Sequence, residues 1–181
     1  MAETDLFAND LLEEAKRFLE KAGDSSDPSA KMASLHAALM LSFCALEAHI
    51  NAIGDELSTQ TSLSVHEKGI LLERDVRLKE GDFRISNSSR MSKLEDRIEL
   101  LYAKFSGTPL DRSMTSWSGR LSEAINLRHQ LTHARTAPTI SDAAVQGTMQ
   151  AIIDTLDALY KVIYKRPFPS AGRGLTSRLS F

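Results

Sequence analysis

Arg128, His129 and His133 set one permanent cation beside two imidazoles that titrate near neutral pH. A guanidinium fork can hold a phosphate through two parallel hydrogen bonds, and an imidazole can move protons. Together they suit acid–base chemistry on a phosphate-bearing substrate. Their placement sharpens the point. Leu121, Ala124, Ile125, Leu127 and Leu131 recur at helical spacing, and Arg128 falls near the middle of the apolar face they define. Arginine is almost never fully buried without a partner, so Arg128 either snorkels to solvent or meets an anion. His129 and His133, at i and i+4, share one flank of the same helix beside it.

Other chemistries fit less well. The histidine pair has the spacing of a zinc-binding helix, but Gln130 stands where a zincin requires Glu. No cluster of Cys or His supplies a third ligand, so no metal or other cofactor is expected. The chain shows no nucleophile elbow and no Gly-rich phosphate loop. A second polar group, Glu47, His49 and Asn51, interrupts an otherwise apolar helix upstream and is a candidate binding or orienting set. His49 lies at the edge of that helix's apolar stripe, whereas Glu47 and Asn51 share a different flank. The purely structural alternative pairs Arg128 with a carboxylate such as Glu47, makes His49 a hydrogen-bonded core residue, and lets His133 cap its helix.

These residues need a scaffold, and the sequence reads as helices throughout. Phe7, Leu11, Ala15, Phe18, Leu19 and Ala22 outline a first amphipathic helix that Gly23 stops. The second, over 29–56, is the clearest: Leu35, Leu39, Phe43, Leu46, Ile50, Ile53 and Leu57 repeat at spacings of three and four. Cys44, flanked by Phe43 and Leu46, reads as a small core residue. Residues 58–92 are the least legible, read as a short helix from Val65 followed by a mobile loop through the charged stretch 79–90. Seven cations between Arg74 and Arg97 alternate with acids and do not read as a basic patch. A fourth helix over 91–105 uses Leu94, Ile98, Leu101 and Phe105, and Gly107-Thr108-Pro109 stops it. The helix bearing Arg128 runs over 118–136, after Trp117, and ends at Ala137-Pro138. Thr139 and Ser141 are candidate caps for the last helix, with Thr139 and Asp142 resembling a capping box. Val145, Met149, Ile152, Leu156, Leu159 and Ile163 form its stripe.

At 181 residues the chain is expected to be one all-α bundle of five to six helices over 1–167, with the second, fifth and sixth at its centre. Residues 168–181 are expected to be a flexible, basic tail. With 42% hydrophobic and 25% charged residues the composition is ordinary for a globular domain. No run approaches the roughly 18 apolar residues of a membrane span. The start of the chain lacks the features of a signal peptide, and one cysteine suits a reducing cytoplasm. A net charge of −2 means that any nucleic-acid binding must come from a local patch. Charge is uneven all the same: residues 1–20 are acid-rich, while Lys161, Lys165, Arg166, Arg173 and Arg178 follow the last acid, Asp157. Such a tail can add phosphate affinity or simply complement a helix C-terminus.

Arg128, four intervening residues and His133, late in a helical bundle, resemble the Arg-x4–6-His signature of the HEPN superfamily (higher eukaryotes and prokaryotes nucleotide-binding). In that family the residue after the arginine is often polar, as His129 is here. The segment Leu46-Glu47-Ala48-His49-Ile50-Asn51 also looks like an earlier core helix of such domains. The resemblance extends over about residues 8–165, though its specific motif is six residues long. It implies metal-independent RNA cleavage by a homodimer whose two motifs face one composite cleft. On that reading Arg128 holds the scissile phosphate, His133 is general acid or base for attack by the ribose 2′-hydroxyl, and His129 orients them. A toxin or defence role with an antitoxin partner goes with it. Many members of the superfamily are instead non-catalytic RNA- or protein-binding modules.

Overall fold

A computed structural model of the chain describes residues 3–111, 115–133 and 140–180. Helix α1 (Glu3–Asp24) turns through Ser25–Asp27 into α2 (Pro28–Leu57). Asp27 caps α2, its Oδ1 accepting from the Ser29 N–H at 3.0 Å, and Pro28 occupies the first turn, where a missing donor costs nothing. All seven residues of the α2 stripe are buried. Ala8, Leu12, Ala15, Leu19 and Ala22 are the buried side of α1, which leaves Phe7 59% exposed. Cys44 is exposed too, so the expectation of a core cysteine is corrected. One residue past Phe43 is a 100° turn of the helix, enough to carry it off the buried face.

Helix α6 (Asp142–Tyr164) completes the centre with Val145, Met149, Ile152, Leu156 and Leu159, all fully buried. Its cap is Ser141, which accepts from the Ala144 N–H at 3.2 Å. The other suggested cap, Thr139, and the helix end at Ala137-Pro138 lie outside the described residues. Helices α4 (Leu94–Ser106) and α5 (Ser116–Thr132) pack on α6. Helix α2 is by length and composition apolar enough to cross a bilayer, a property that no inspection of uninterrupted apolar runs detects. Here its stripe packs against α1 and α6.

Two regions depart from expectation. After α3 (Val65–Leu71), which Ser64 and Glu67 close with a reciprocal capping box, the end of the expected helical stretch (to Leu78) and the expected mobile loop over 79–90 are together an antiparallel hairpin. Strands β1 (Arg74–Lys79) and β2 (Asp82–Ser89) meet at Glu80-Gly81, both at positive φ, the geometry of a turn that follows the twist of the strands. The register Val76–Ile85 and Leu78–Phe83 puts four apolar side chains on one face. Gly69 of α3 lets the hairpin approach, since a Cβ there would come within 2.6 Å of Val76 Cγ2. The architecture is therefore a helical bundle with a small two-stranded sheet, not a purely helical one.

The C-terminal segment also packs back on the bundle. Phe168 is buried, and Arg173 reaches Glu13 Oε1 at 2.8 Å. The Arg178 N–H donates to Glu13 Oε2 at 2.8 Å, and the Ser177 N–H to Glu20 Oε1 at 2.8 Å. The acidic beginning of the chain and its basic end thus neutralise one another. Beneath them Lys16 is fully buried, 3.6 Å from Glu13. Its burial pushes its pKa down, Arg173 and Arg178 add to that, and Glu13 opposes it.

Candidate functional site

Arg128 both snorkels and meets an anion. Its guanidinium carbon lies 5.5 Å from the centre of the Phe43 ring, and its Nη2 is 3.1 Å from Glu47 Oε1. Phe43 and Glu47 are one turn apart on α2, so a single helix face supplies both the apolar bed and the counter-charge. The Nε of Arg128 is buried without a hydrogen-bond partner among the described residues. With about 30% of its side chain exposed, the arginine is held in place yet open on one side. Such a half-exposed pair contributes at most about 1 kcal/mol to stability.

His129 and His133 are exposed, their ring centres 6.2 Å apart. His133 is the residue at which α5 leaves helical geometry, its N–H still donating to the His129 carbonyl at 3.0 Å. The two imidazoles therefore face solvent at the helix end, on the flank next to Arg128. Among the described residues no cluster of three His, Cys, Asp or Glu side chains could hold a metal ion.

The upstream trio divides. Asn51, one turn beyond Glu47, accepts from Arg97 Nη2 through Oδ1 at 2.6 Å. The same Nη2 donates to the Leu71 carbonyl at 2.9 Å, and Nη1 lies 3.5 Å from Glu73 Oε2. Arg97 is 3% exposed. Burial pulls its pKa down, and Glu73, Glu47 and Asp55 act against that. Glu47 thus sits between two arginines, in direct contact with Arg128 and within the electrostatic reach of Arg97. His49 is elsewhere: fully buried, edge-on to Phe168 at 5.2 Å and to Tyr160 at 6.4 Å. It belongs to the packing beneath the C-terminal segment and not to the surroundings of Arg128.

Arg97 is the residue that sequence reading passed over. Its signal matched that of Arg128, because Leu94, Arg97 and Leu101 follow one another at spacings of three and four. On the shorter helix α4, with Ile98 next to it, the arginine lies at the edge of the stripe. The arrangement as a whole is one cation tethered by a carboxylate, two solvent-facing imidazoles, and a second, buried arginine fixing the wall behind. No family model, curated protein or solved structure matches the chain.

Proposed function

We propose that the chain is a metal-independent endoribonuclease of HEPN type, acting as a two-fold homodimer in the cytoplasm. The observation that carries this reading is Arg128, anchored across Phe43 by Glu47, with His129 and His133 open on the adjoining flank. A phosphodiester displaces or shares Glu47 at the guanidinium, which then stabilises the negative charge that develops on the non-bridging oxygens. His133 takes the proton of the ribose 2′-hydroxyl as its oxygen attacks phosphorus. The bond to the 5′ oxygen breaks, and that oxygen leaves with a proton from a second imidazole, His129 or the His133 of the facing copy. The products are a 2′,3′-cyclic phosphate and a 5′-hydroxyl. Two exposed half-sites brought together by a two-fold axis supply both a base and an acid. An antitoxin or other regulatory protein would act by covering α5.

A second reading has its own observation. The ion pair with Glu47 already occupies one edge of Arg128, which suits a non-cleaving module that binds RNA or protein. Chelator-resistant cleavage of single-stranded RNA separates the two. Arg128→Ala and His133→Ala should each lower the rate by about 10²–10³-fold. Cleavage that survives both substitutions overturns the catalytic assignment. RNA binding without cleavage anywhere between about pH 5 and pH 8, where histidine titrates, favours the module.

A further inference from the structure

The cations of residues 74–97 do not form a patch along the chain, but folding sorts them. Asp75 is taken by Arg77 at 3.0 Å, and Glu80 and Asp82 flank Arg84 at 3.7 and 3.9 Å. Glu73 is engaged by Arg97 and by the Ser92 N–H, and Glu67 by Lys104. Of the four that remain, all but Lys79, at the far end of β1, gather around one cavity of about 490 Å3 between α3, the base of the hairpin and the start of α4. Arg74, Arg90 and Lys93 line it, with Asp96 as its only carboxylate. Arg74 uses Nη1 on the Asn87 carbonyl at 2.8 Å. The side chains of Arg90 and Lys93 form no hydrogen bond or ion pair among the described residues.

The same ground is unusually apolar for a surface. Of the seven large hydrophobic side chains exposed among the described residues, Ile70 and Met91 line the cavity, and Leu78, Phe83 and Ile85 stand on one face of the hairpin above its base. Met91 is 90% exposed, and Phe83, 56% exposed, lies 5.0 Å from the exposed His66 ring. Uncommitted cations beside exposed rings are what a flexible polyanion with stacking faces needs: the cations take phosphates, and the rings take bases. A protein partner would find the apolar surface but would have to bring acids to match three cations. Single-stranded RNA brings both in every nucleotide.

We infer that the cavity between α3, the hairpin and the start of α4 is a second contact site for single-stranded RNA, separate from Arg128 and His133. This inference rests on the RNA reading of the protein but not on its catalytic part. A continuous set of contacts joins the two places. Ser92 of the cavity donates to Glu73, Glu73 pairs with Arg97, and Arg97 holds Asn51, one turn from the Glu47 that tethers Arg128.

The test is fluorescence anisotropy of a labelled single-stranded RNA on the full-length His133→Ala chain, which removes cleavage from the measurement. Adding Arg90→Glu and Lys93→Glu should weaken binding at least about tenfold and lower the salt slope by about 1.4, as expected for two lost phosphate contacts. Phe83→Ala should weaken binding severalfold with the salt slope unchanged, because stacking releases no counterions. All three positions are exposed, so melting temperatures should stay at the parent value and confirm folded protein. Unchanged affinity and slope in the double variant, or failure of the His133→Ala chain to bind RNA at all, overturns the inference. So does a loss matched for polyglutamate with no effect of Phe83→Ala. Cleavage that persists in Arg128→Ala removes the catalytic reading alone and leaves the binding result standing.

Discussion

Two arginines, each set in or beside an apolar stripe, meet opposite fates one turn apart along the same flank of α2. Arg97 is 3% exposed and its guanidinium is shared among Asn51, the Leu71 carbonyl and Glu73. Arg128 has about 30% of its side chain exposed against 4% for Arg97, with one carboxylate against one edge. A buried guanidinium persists only when its donors are satisfied on several sides, and it then ties together the segments that satisfy it. Arg97 ties α4, the end of α3, the start of β1 and α2. A half-exposed guanidinium with a single acceptor contributes little to the fold and keeps donors for something else. Burial, more than residue type, separates a structural arginine from an available one.

The comparison is broken most directly at Arg97. Arg97→Ala should cost about 3 kcal/mol of unfolding free energy in urea titrations, since it strands a buried carbonyl and an amide acceptor at once. Arg128→Ala should cost less than about 1 kcal/mol on the same scale. Equal losses at the two positions would erase the distinction between them.

Glu47→Gln sharpens it. Neutralising the tether removes the competitor for phosphate at Arg128, so RNA affinity in the His133→Ala chain should rise severalfold while stability moves by under about 1 kcal/mol. A fall in affinity would instead make Glu47 an orienting group that the arginine needs in order to face its ligand.

The smallest effect belongs to Glu67, at the foot of the hairpin region that Arg97 anchors. The backbone hydrogen bond from Ser64, then Lys104, holds its carboxyl below the usual carboxylate range. A depressed folded-state pKa stabilises the fold fully above the unfolded value of about 4.3 and loses that contribution as pH falls through the folded value. Solvent screening keeps it below about 1 kcal/mol. Melting curves of the parent and Glu67→Gln should differ at pH 6 and converge towards pH 3; a gap that widens with acid contradicts the linkage.

The stripes of α2, α4 and α6 were legible because burial repeats every three or four residues and needs no distant partner to be seen. Arg128 was legible for the same reason, as an interruption in a repeat. The hairpin was not. Each strand carries two apolar positions on one face, Val76 and Leu78 against Phe83 and Ile85, and the charges between them hide the alternation. Whether such a ribbon forms depends on α3 beneath it and on the Gly69 contact, neither of which is local to the strands. Cys44 is the reverse case: Phe43 and Ala45 on either side of it are core, yet Cys44 itself is exposed.

The sequence by itself determined that the chain is a bundle built on one long apolar helix, that its ends carry opposite charge, and that Arg128, His129 and His133 share one end of a helix. Those are properties of spacing and composition. Tertiary structure alone decided that Glu47 meets Arg128, that Arg97 is locked in and His49 is core, that the charged ends pair through Glu13, and that Arg74, Arg90 and Lys93 gather at one cavity. Each of these depends on which groups find partners across the fold, and a partner dozens of residues away leaves no period in the chain.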